Sequence, residues 1–89
     1  MRTSKRYECF KFAKEYFSKQ TTTSRAKFEF ELIKNFGVTK KYAQMIIRQL
    51  LDLRILEMKF NRLTYEYLLV RGKQFDLIEN LIAPVRAKG

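Results

Sequence analysis

The fold of this chain is decided by residues 37–50, which read GVTKKYAQMIIRQL. Gly37 is the residue type that most often follows the end of a helix, and Thr39 is a favourable helix N-cap. One helix therefore ends and the next begins within three residues, with Val38 as a single buried residue between them. This pattern predicts a helix-turn-helix.

The helix that follows Thr39, helix 3, is predicted to run from residue 40 to about residue 53. Its inner face carries apolar residues at helical spacing, namely Ala43, Ile46, Ile47, Leu50 and Leu53. Its outer face carries Lys41, Gln44, Met45, Arg48, Gln49 and Asp52. We expect the inner face in the core and the outer face to be available for binding.

Two further helices are predicted upstream. Helix 2 covers residues 25–36, and the polar stretch before it, residues 20–24, can hold a very short strand and ends in Ser24, a suitable N-cap. Helix 1 covers about residues 4–19, with Thr3 or Ser4 as its N-cap. Its apolar arc is wider than the roughly 100° stripe that one packing surface needs, so we expect it to contact two surfaces.

Downstream of helix 3 the apolar period changes from 3.6 to 2, which predicts a β-hairpin over about residues 55–70. Its alternating apolar residues are Leu56, Met58, Phe60, Leu63, Tyr65, Tyr67 and Leu69. A tight turn is expected at residues 61–62, because Asn61 tolerates a positive φ better than most residues. A last helix is predicted over about residues 73–83, ended by Pro84, with 85–89 as a flexible basic tail.

The length and composition are those of one small folded domain, predicted over residues 1–84. The chain has 89 residues, 46% of them hydrophobic, and 19 Lys and Arg against 9 Asp and Glu leave a net charge of +10. So strong a positive field favours a polyanionic partner. The expected fold class is mainly α with a small β-hairpin: a three-helix core, the hairpin and a C-terminal helix.

The composition argues against catalysis. With no His in the chain, the commonest hydrolytic and zinc sites cannot be built, and we expect no enzymatic activity, no metal and no cofactor. Cys9 lies among helical apolar positions and is interpreted as a buried thiol in a reducing compartment. The acids Glu29, Glu31, Asp76 and Glu79 are interpreted as exposed charges at helical spacing.

The sequence also predicts the compartment. No apolar run approaches the ~20 residues of a membrane span, and the basic N-terminus lacks the apolar stretch of a signal peptide. We expect a cytoplasmic protein that contacts no membrane. The Lys-, Ile- and Leu-rich composition without His suggests a thermophile.

The order of elements resembles the winged helix-turn-helix family of DNA-binding proteins. The resemblance covers most of the chain and is sharpest from Gly37 through Gln44, at Ile47 and Leu50, and at residues 55–57. These residues match a family pattern of glycine, apolar residue, hydroxyl cap, recognition helix and two apolar residues that enter the wing. The chain departs from the pattern at Arg54, where the family often has glycine. Stand-alone members of this size are similar to proteins of archaea and their viruses or plasmids, and a viral protein would act in the host cytoplasm.

The resemblance implies that helix 3 enters the major groove while the hairpin lies on the backbone or minor groove. Gln44 and Arg48 are the base-reading candidates, since Gln can pair with adenine and Arg with guanine, and Met45 could meet a thymine methyl. Lys40 and Lys41 are candidate phosphate contacts, because cations are otherwise disfavoured in the first turn of a helix.

The remaining candidate DNA contacts are Thr39 and Tyr42 of helix 3, Arg25 and Lys27 at the start of helix 2, and Lys59, Asn61 and Arg62 around the hairpin tip. Each also has a structural alternative. The outer face of helix 3 could meet only water, Tyr42 could pack against helix 2, and the hairpin cations could keep its edge from pairing with another sheet.

Helix 1 and the last helix carry more apolar circumference than one small domain is expected to cover, which favours a homodimer. The candidate interface residues are Tyr7, Phe10, Phe12, Tyr16, Phe75, Ile78, Leu81 and Ile82. Such a dimer would present two copies of helix 3 to grooves about 34 Å apart, which predicts an approximately palindromic site.

Three functions remain open. The main expectation is a sequence-specific transcription regulator that binds double-stranded DNA and no small-molecule ligand. A DNA-coating or architectural protein would share the charge, but its affinity would depend on salt and hardly on sequence. A structural winged helix that binds RNA or protein would bind duplex DNA weakly even at low salt.

Overall fold

The computed structural model describes residues 4–82, which form a mixed α/β fold of helices packed on a small antiparallel sheet. In chain order the elements are α1 (Lys5–Lys19), β1 (Thr22–Ser24), α2 (Arg25–Phe36), α3 (Lys40–Asp52), β2 (Leu56–Asn61), β3 (Glu66–Arg71), a 3₁₀ turn (Phe75–Leu77) and α4 (Ile78–Ile82). Over residues 4–82 no helix has the length and apolar character needed to cross a membrane. Thr3, the predicted helix end at residue 83, Pro84 and the predicted tail 85–89 lie outside the described residues.

Each of the three long helices begins at a hydroxyl side chain that caps it. Ser4, Ser24 and Thr39 accept hydrogen bonds from the backbone N–H three residues later, at 3.1, 3.0 and 3.0 Å. Each bond satisfies one of the donors that the first turn of a helix leaves without a partner. The predicted caps at Ser24 and Thr39 are confirmed, and so is the short strand within residues 20–24, which is observed as Thr22–Ser24.

The ends of α2 and α3 use the same left-handed conformation with different residues. Gly37 closes α2 with φ 64°, and Arg54 follows α3 with φ 61°. The N–H of Arg54 donates to the carbonyl of Leu51, and the N–H of Ile55 to that of Leu50, both at 3.0 Å. This is the Schellman motif that glycine usually makes, so Arg54 preserves the exit from α3 at a conformational cost.

The core lies where the three long helices meet the base of β2 and β3. Its buried residues are Cys9, Phe10, Ala13, Phe17, Phe28, Leu32, Ala43, Ile46, Ile47, Leu50, Ile55, Leu56, Leu69 and Ile78. The Tyr16 hydroxyl lies 3.0 Å from Thr23 Oγ1 and ties α1 to β1. The prediction of Leu53 in the core is wrong. Its side chain is 41% exposed, because α3 ends at Asp52 and the chain leaves the inner face there.

The sheet has the strand order β1-β3-β2, and all its pairs are antiparallel. Strand pairing continues up to Asn61, which leaves residues 62–65 as the turn. The predicted tight turn at residues 61–62 is therefore wrong. The Asn61 Oδ1 atom accepts a hydrogen bond from the N–H of Leu63 at 2.9 Å, and the positive φ, 55°, belongs to Tyr65. This side-chain bond stabilises a longer turn that the alternating pattern does not reveal.

The segment after β3 is not the single helix predicted over residues 73–83, because a 3₁₀ turn precedes the short helix α4. Gly72 donates its N–H to the carbonyl of Ile55 at 2.8 Å, and Gln74 donates to the carbonyl of Arg54 at 3.0 Å. A Cβ atom on Gly72 would overlap the Arg54 carbonyl oxygen. Phe75 and Leu77 donate their N–H groups to the carbonyls three residues earlier, those of Gly72 and Gln74, so this stretch winds as a 3₁₀ turn before α4 begins.

The helices α1 and α4 pack on each other and cover much of their apolar arcs within one chain. Phe10 and Ile78 are each 1% exposed, so their assignment to a dimer interface is wrong, since no surface remains on them for a second copy. The other predicted interface residues Phe12, Tyr16, Phe75, Leu81 and Ile82 are partly buried against the same core, and Tyr7 is half-buried. At this contact Lys14 Nζ lies 2.9 Å from Glu79 Oε2, which raises the pKa of Lys14.

Candidate nucleic-acid interface

An open groove lies between α3, the start of α2 and strand β2. Its volume is about 530 Å³, and its lining residues are Arg25, Lys41, Gln44, Met45, Ile47, Arg48, Leu51, Asp52 and Met58. Five of these are candidate DNA contacts from the sequence: Arg25, Lys41, Gln44, Met45 and Arg48. The fold therefore brings candidates from two separate helices to one surface, with the hairpin as its third wall.

Most of the outer face of α3 is open, as its pattern predicts. Gln49 is the exception, because it is half-buried and its Oε1 accepts a hydrogen bond from Nε of Arg6 in α1 at 3.2 Å. The Arg48 side chain is 81% exposed, and its Nε lies 4.0 Å from Oδ2 of Asp52, one turn further on. An exposed ion pair of this kind contributes little to stability, so the guanidinium can exchange Asp52 for another acceptor. Gln44 lies one turn before Arg48 on the same face and is half-buried, and Met45 beside it is exposed.

Cations occupy the first turn of α3. Lys40 and Lys41 are both exposed there, where the helix dipole disfavours each positive charge by ~0.3 to 1 kcal/mol at low salt. A phosphate bound at this end would offset that cost. Thr39 is also exposed, and because its oxygen accepts the N–H of Tyr42, its hydroxyl proton is left to donate outward.

Tyr42 is half-buried at the edge of α3 and packs against the core, so the alternative in which its ring packs within the fold holds in part. It also lines a second shallow depression of about 450 Å³ together with Thr39, Lys41 and Met45. Lys41 and Met45 line both depressions. The surface available to a ligand therefore extends from the groove to the start of α3.

Arg25 is held at the groove by a buried carboxylate. Glu29 is only 8% exposed, and its Oε1 lies 3.8 Å from Nη2 of Arg25, one turn earlier. The interpretation of Glu29 as an exposed acid is therefore wrong, because this face of α2 turns inward towards the sheet. The pairing with Glu29 favours a position of the Arg25 guanidinium beside the groove. Lys27 is exposed at the same helix end.

The three candidates around the hairpin tip differ in their placement. Arg62 is exposed in the turn itself. Asn61 uses its side-chain carbonyl to hold the turn at Leu63. Lys59 is exposed but lies on the opposite face of β2 from Met58, because successive side chains of a strand alternate. The structure therefore brings Met58 to the groove and does not bring Lys59 there.

The hairpin carries an exposed apolar surface that is not among the predicted binding residues. Leu56 and Leu69 are buried, whereas the apolar residues further along the strands and in the turn are exposed: Met58 43%, Phe60 46%, Tyr67 51%, Tyr65 81% and Leu63 94%. The alternating pattern contained a signal for this surface, since it continues further along the hairpin than a small core can cover.

Cys9 lies in the core. Burial raises the pKa of its thiol to about 11, and the charge of Glu8 contributes in the same direction. A thiol in this state is a poor nucleophile at neutral pH, so Cys9 is a packing residue. Within the part of the chain that the structure describes, no group of three or more His, Cys, Asp or Glu could hold a metal ion.

No model of a protein family matches this chain, and no curated protein and no solved structure matches it. The groove combines cationic, hydrogen-bonding and apolar side chains on one open surface. That surface and the charge of the chain carry the functional inference.

Proposed function

We propose that the protein is a winged helix-turn-helix that binds double-stranded DNA with sequence specificity and acts as a transcription regulator. In this proposal α3 lies in the major groove, whose width of about 12 Å admits a helix. The hairpin is the wing and lies on the adjacent backbone or minor groove. The observation that carries the proposal is the groove, where Arg25, Lys41, Gln44, Met45 and Arg48 meet.

The residues of α3 then have two kinds of role. Gln44 and Arg48 lie one turn apart and can form paired hydrogen bonds with adenine and guanine, while Met45 can contact a thymine methyl. Lys40 and Lys41 bind phosphate at the helix N-terminus, where they position the protein and read no sequence.

The other contacts would be to the backbone. Arg25 and Lys27 clamp it from the start of α2, Thr39 and Tyr42 donate hydroxyl hydrogen bonds to phosphate, and Arg62 reaches the minor groove or a phosphate. Lys59 and Asn61 are better explained by structural roles, since Asn61 holds the turn and Lys59 lies away from the groove.

A homodimer on an inverted repeat is the form of binding that we propose, with half-sites about ten base pairs apart. Fewer apolar residues are available for a dimer contact than the sequence predicts, because α1 and α4 cover Phe10 and Ile78 within the monomer. Tyr7 and the partly buried residues of α1 and α4 are the remaining candidates for that contact.

The net charge of +10 also favours a second function, non-specific coating of DNA. The two functions differ in how affinity depends on sequence and salt. Coating depends on salt and hardly on sequence, whereas a regulator should prefer its site over random DNA by ~4 kcal/mol or more.

Selection of bound duplexes from a random pool at ~0.15 M salt tests the proposal. We expect enrichment of an inverted repeat, with one base position relaxed when the selection is repeated with Arg48→Ala. Retention without enrichment would replace the regulator by a coating protein. Loss of all duplex binding, even at low salt, would overturn DNA as the ligand and favour an RNA or protein partner.

A further inference from the structure

One side of the hairpin carries a continuous apolar strip that leaves the core. In the register of β2 and β3, Met58 opposes Leu69 and Phe60 opposes Tyr67, so these side chains lie on the same face of the hairpin. Leu69 is buried in the core, whereas Met58, Phe60 and Tyr67 are each about half exposed and Tyr65 is 81% exposed. We call Met58, Phe60, Tyr65 and Tyr67 the hairpin strip.

The rings of the hairpin strip contact one another. The centroids of Phe60 and Tyr67 lie 5.0 Å apart with an interplanar angle of 62°, and those of Phe60 and Tyr65 lie 5.9 Å apart at 70°. Edge-to-face packing of this kind restricts side-chain freedom before any ligand arrives. Phe60, Tyr67 and Tyr65 nevertheless remain 46%, 51% and 81% exposed, so part of each residue is open to a flat partner.

The hairpin strip is continuous with the groove of α3. Met58 lines that groove together with Gln44, Met45 and Arg48. Phe60 lies two residues further along β2 on the same face, so the strip leads from the groove towards the turn. A ligand that occupies the groove and continues along the hairpin must therefore pass over the rings.

The charge of the chain limits what can cover the strip. A second copy packed strip to strip would bring its own group of Lys and Arg side chains against that of the first. Arg25, Lys41 and Arg48 surround one end of the strip, and Arg62 lies in the turn beside Tyr65. A partner that offers both negative charge and flat apolar faces satisfies the whole surface, and nucleic acid offers phosphates together with bases.

Paired bases inside a duplex cannot use these rings, because their faces are already stacked on neighbouring bases. An unpaired base exposes both faces, and each base stacked on an aromatic side chain contributes roughly a five- to hundredfold gain in affinity. We infer that the hairpin strip stacks unpaired bases of a DNA strand that continues from the duplex bound by α3. This inference rests on the proposed function and adds a preference for a duplex that ends in a single strand or contains an unpaired stretch.

The test uses fluorescence anisotropy with three DNA probes. They are a blunt duplex, the same duplex with a five-nucleotide oligothymidine tail, and single-stranded oligothymidine alone. The full chain should bind the tailed duplex at least about tenfold more tightly than the blunt one. The double variant Phe60→Ala/Tyr67→Ala should lose that difference while its affinity for the blunt duplex stays within about twofold of the unmodified chain.

Two control variants separate stacking from other effects. Phe30→Ala removes an exposed phenylalanine from α2, 58% exposed, and should keep the preference for the tail. Phe60→Leu/Tyr67→Leu keeps apolar area without the rings and should lose the preference. Thermal unfolding followed by circular dichroism checks that each variant is folded.

The outcomes distinguish the two proposals. Equal affinity for blunt and tailed duplexes overturns the hairpin inference and leaves the proposed function standing. Binding of oligothymidine through the rings, with no binding of the blunt duplex, overturns the proposed function and supports the strip as a base-binding surface. A change of molecular mass in the double variant by sedimentation, with the tail preference intact, would show that the strip contacts a second copy and would overturn the inference.

Discussion

The side formed by α1 and α4 and the outer half of the hairpin both carry abundant apolar surface, and the fold treats them in opposite ways. On the first, the sequence predicts more apolar surface than one chain can bury and therefore a dimer partner, yet Phe10 and Ile78 are each 1% exposed within one chain. On the second, the alternating pattern looks like an ordinary strand, yet Phe60 is 46% and Tyr65 81% exposed. The width of an apolar arc therefore does not show whether another element of the same chain covers it.

The largest expected effect contrasts one phenylalanine from each side. Phe10→Ala should lower the free energy of unfolding by about 3–5 kcal/mol, because it leaves a cavity in the core. Phe60→Ala should lower it by less than about 1 kcal/mol, because its neighbours can relax into solvent. Urea unfolding followed by circular dichroism measures both. Similar losses from the two variants would mean that the hairpin is as well covered as α1.

The next effect concerns the close backbone contact between Gly72, which follows the hairpin, and Arg54 and Ile55, which precede it. Gly72→Ala should destabilise the protein by about 2–3 kcal/mol, because the added Cβ would overlap the Arg54 carbonyl oxygen and must push the backbones apart. Gly37→Ala is the matched control, since open space surrounds that position and only its φ of 64° is unfavourable. The control should cost about 1 kcal/mol. Equal midpoints in urea would show that the close approach at Gly72 is not required.

A third measurement tests whether the exposed residues of α3 contribute to DNA binding and not to the stability of the fold. Arg48→Ala should weaken binding to the preferred duplex by ~1 to 3 kcal/mol and relax one base position, whereas Lys40→Ala should weaken all duplexes alike. Arg48→Ala should leave the urea midpoint unchanged, because its side chain is exposed. Lys40→Ala should stabilise the protein by ~0.3 to 1 kcal/mol at low salt, because it removes a cation from the first turn of α3. Anisotropy titrations on the selected site and on a scrambled one separate the two roles. Equal effects of both variants on every duplex would remove base reading from Arg48.

The smallest expected effect lies at the exit from α3 into the hairpin. Arg54 holds φ at 61°, a conformation that glycine adopts without the clash of a Cβ atom. Arg54→Gly should therefore raise the free energy of unfolding by about 1 kcal/mol. Arg54→Ala keeps the Cβ and should give no such gain. Destabilisation by Arg54→Gly would indicate that the arginine side chain itself supports the turn.

The parts of the fold that the sequence predicts well depend on neighbouring residues. Ser24 and Thr39 cap helices through hydrogen bonds that span three residues, and Gly37 ends a helix through its own φ. The polar face of α3 follows from its helical period, which is why Gln44 and Arg48 are found on an open surface. Such signals lie within one or two helical turns and need no knowledge of the rest of the chain.

The errors have one local cause and two longer-range causes. The local one is the hairpin turn, where the Asn61 side chain bonds to the backbone two residues later, at Leu63, a contact that the alternating pattern does not reveal. Glu29 is buried because it lies on the side of α2 that packs towards the sheet, where it pairs with Arg25. Met58 was not a candidate contact, since only the fold places β2 beside α3. The placements of Glu29 and Met58 depend on which elements become neighbours.

The order and limits of the main helices, the short link between α2 and α3, the presence of a hairpin and the positive charge all follow from the amino-acid sequence alone. These properties follow from local bonding and from composition. Three other properties come from the packing of distant elements: α4 covers α1, Arg25 and Met58 join α3 around one groove, and the rings of the hairpin remain exposed. Burial depends on which distant elements pack together. The apolar period of a helix or strand shows which face a side chain lies on, but it does not show whether another element buries that face.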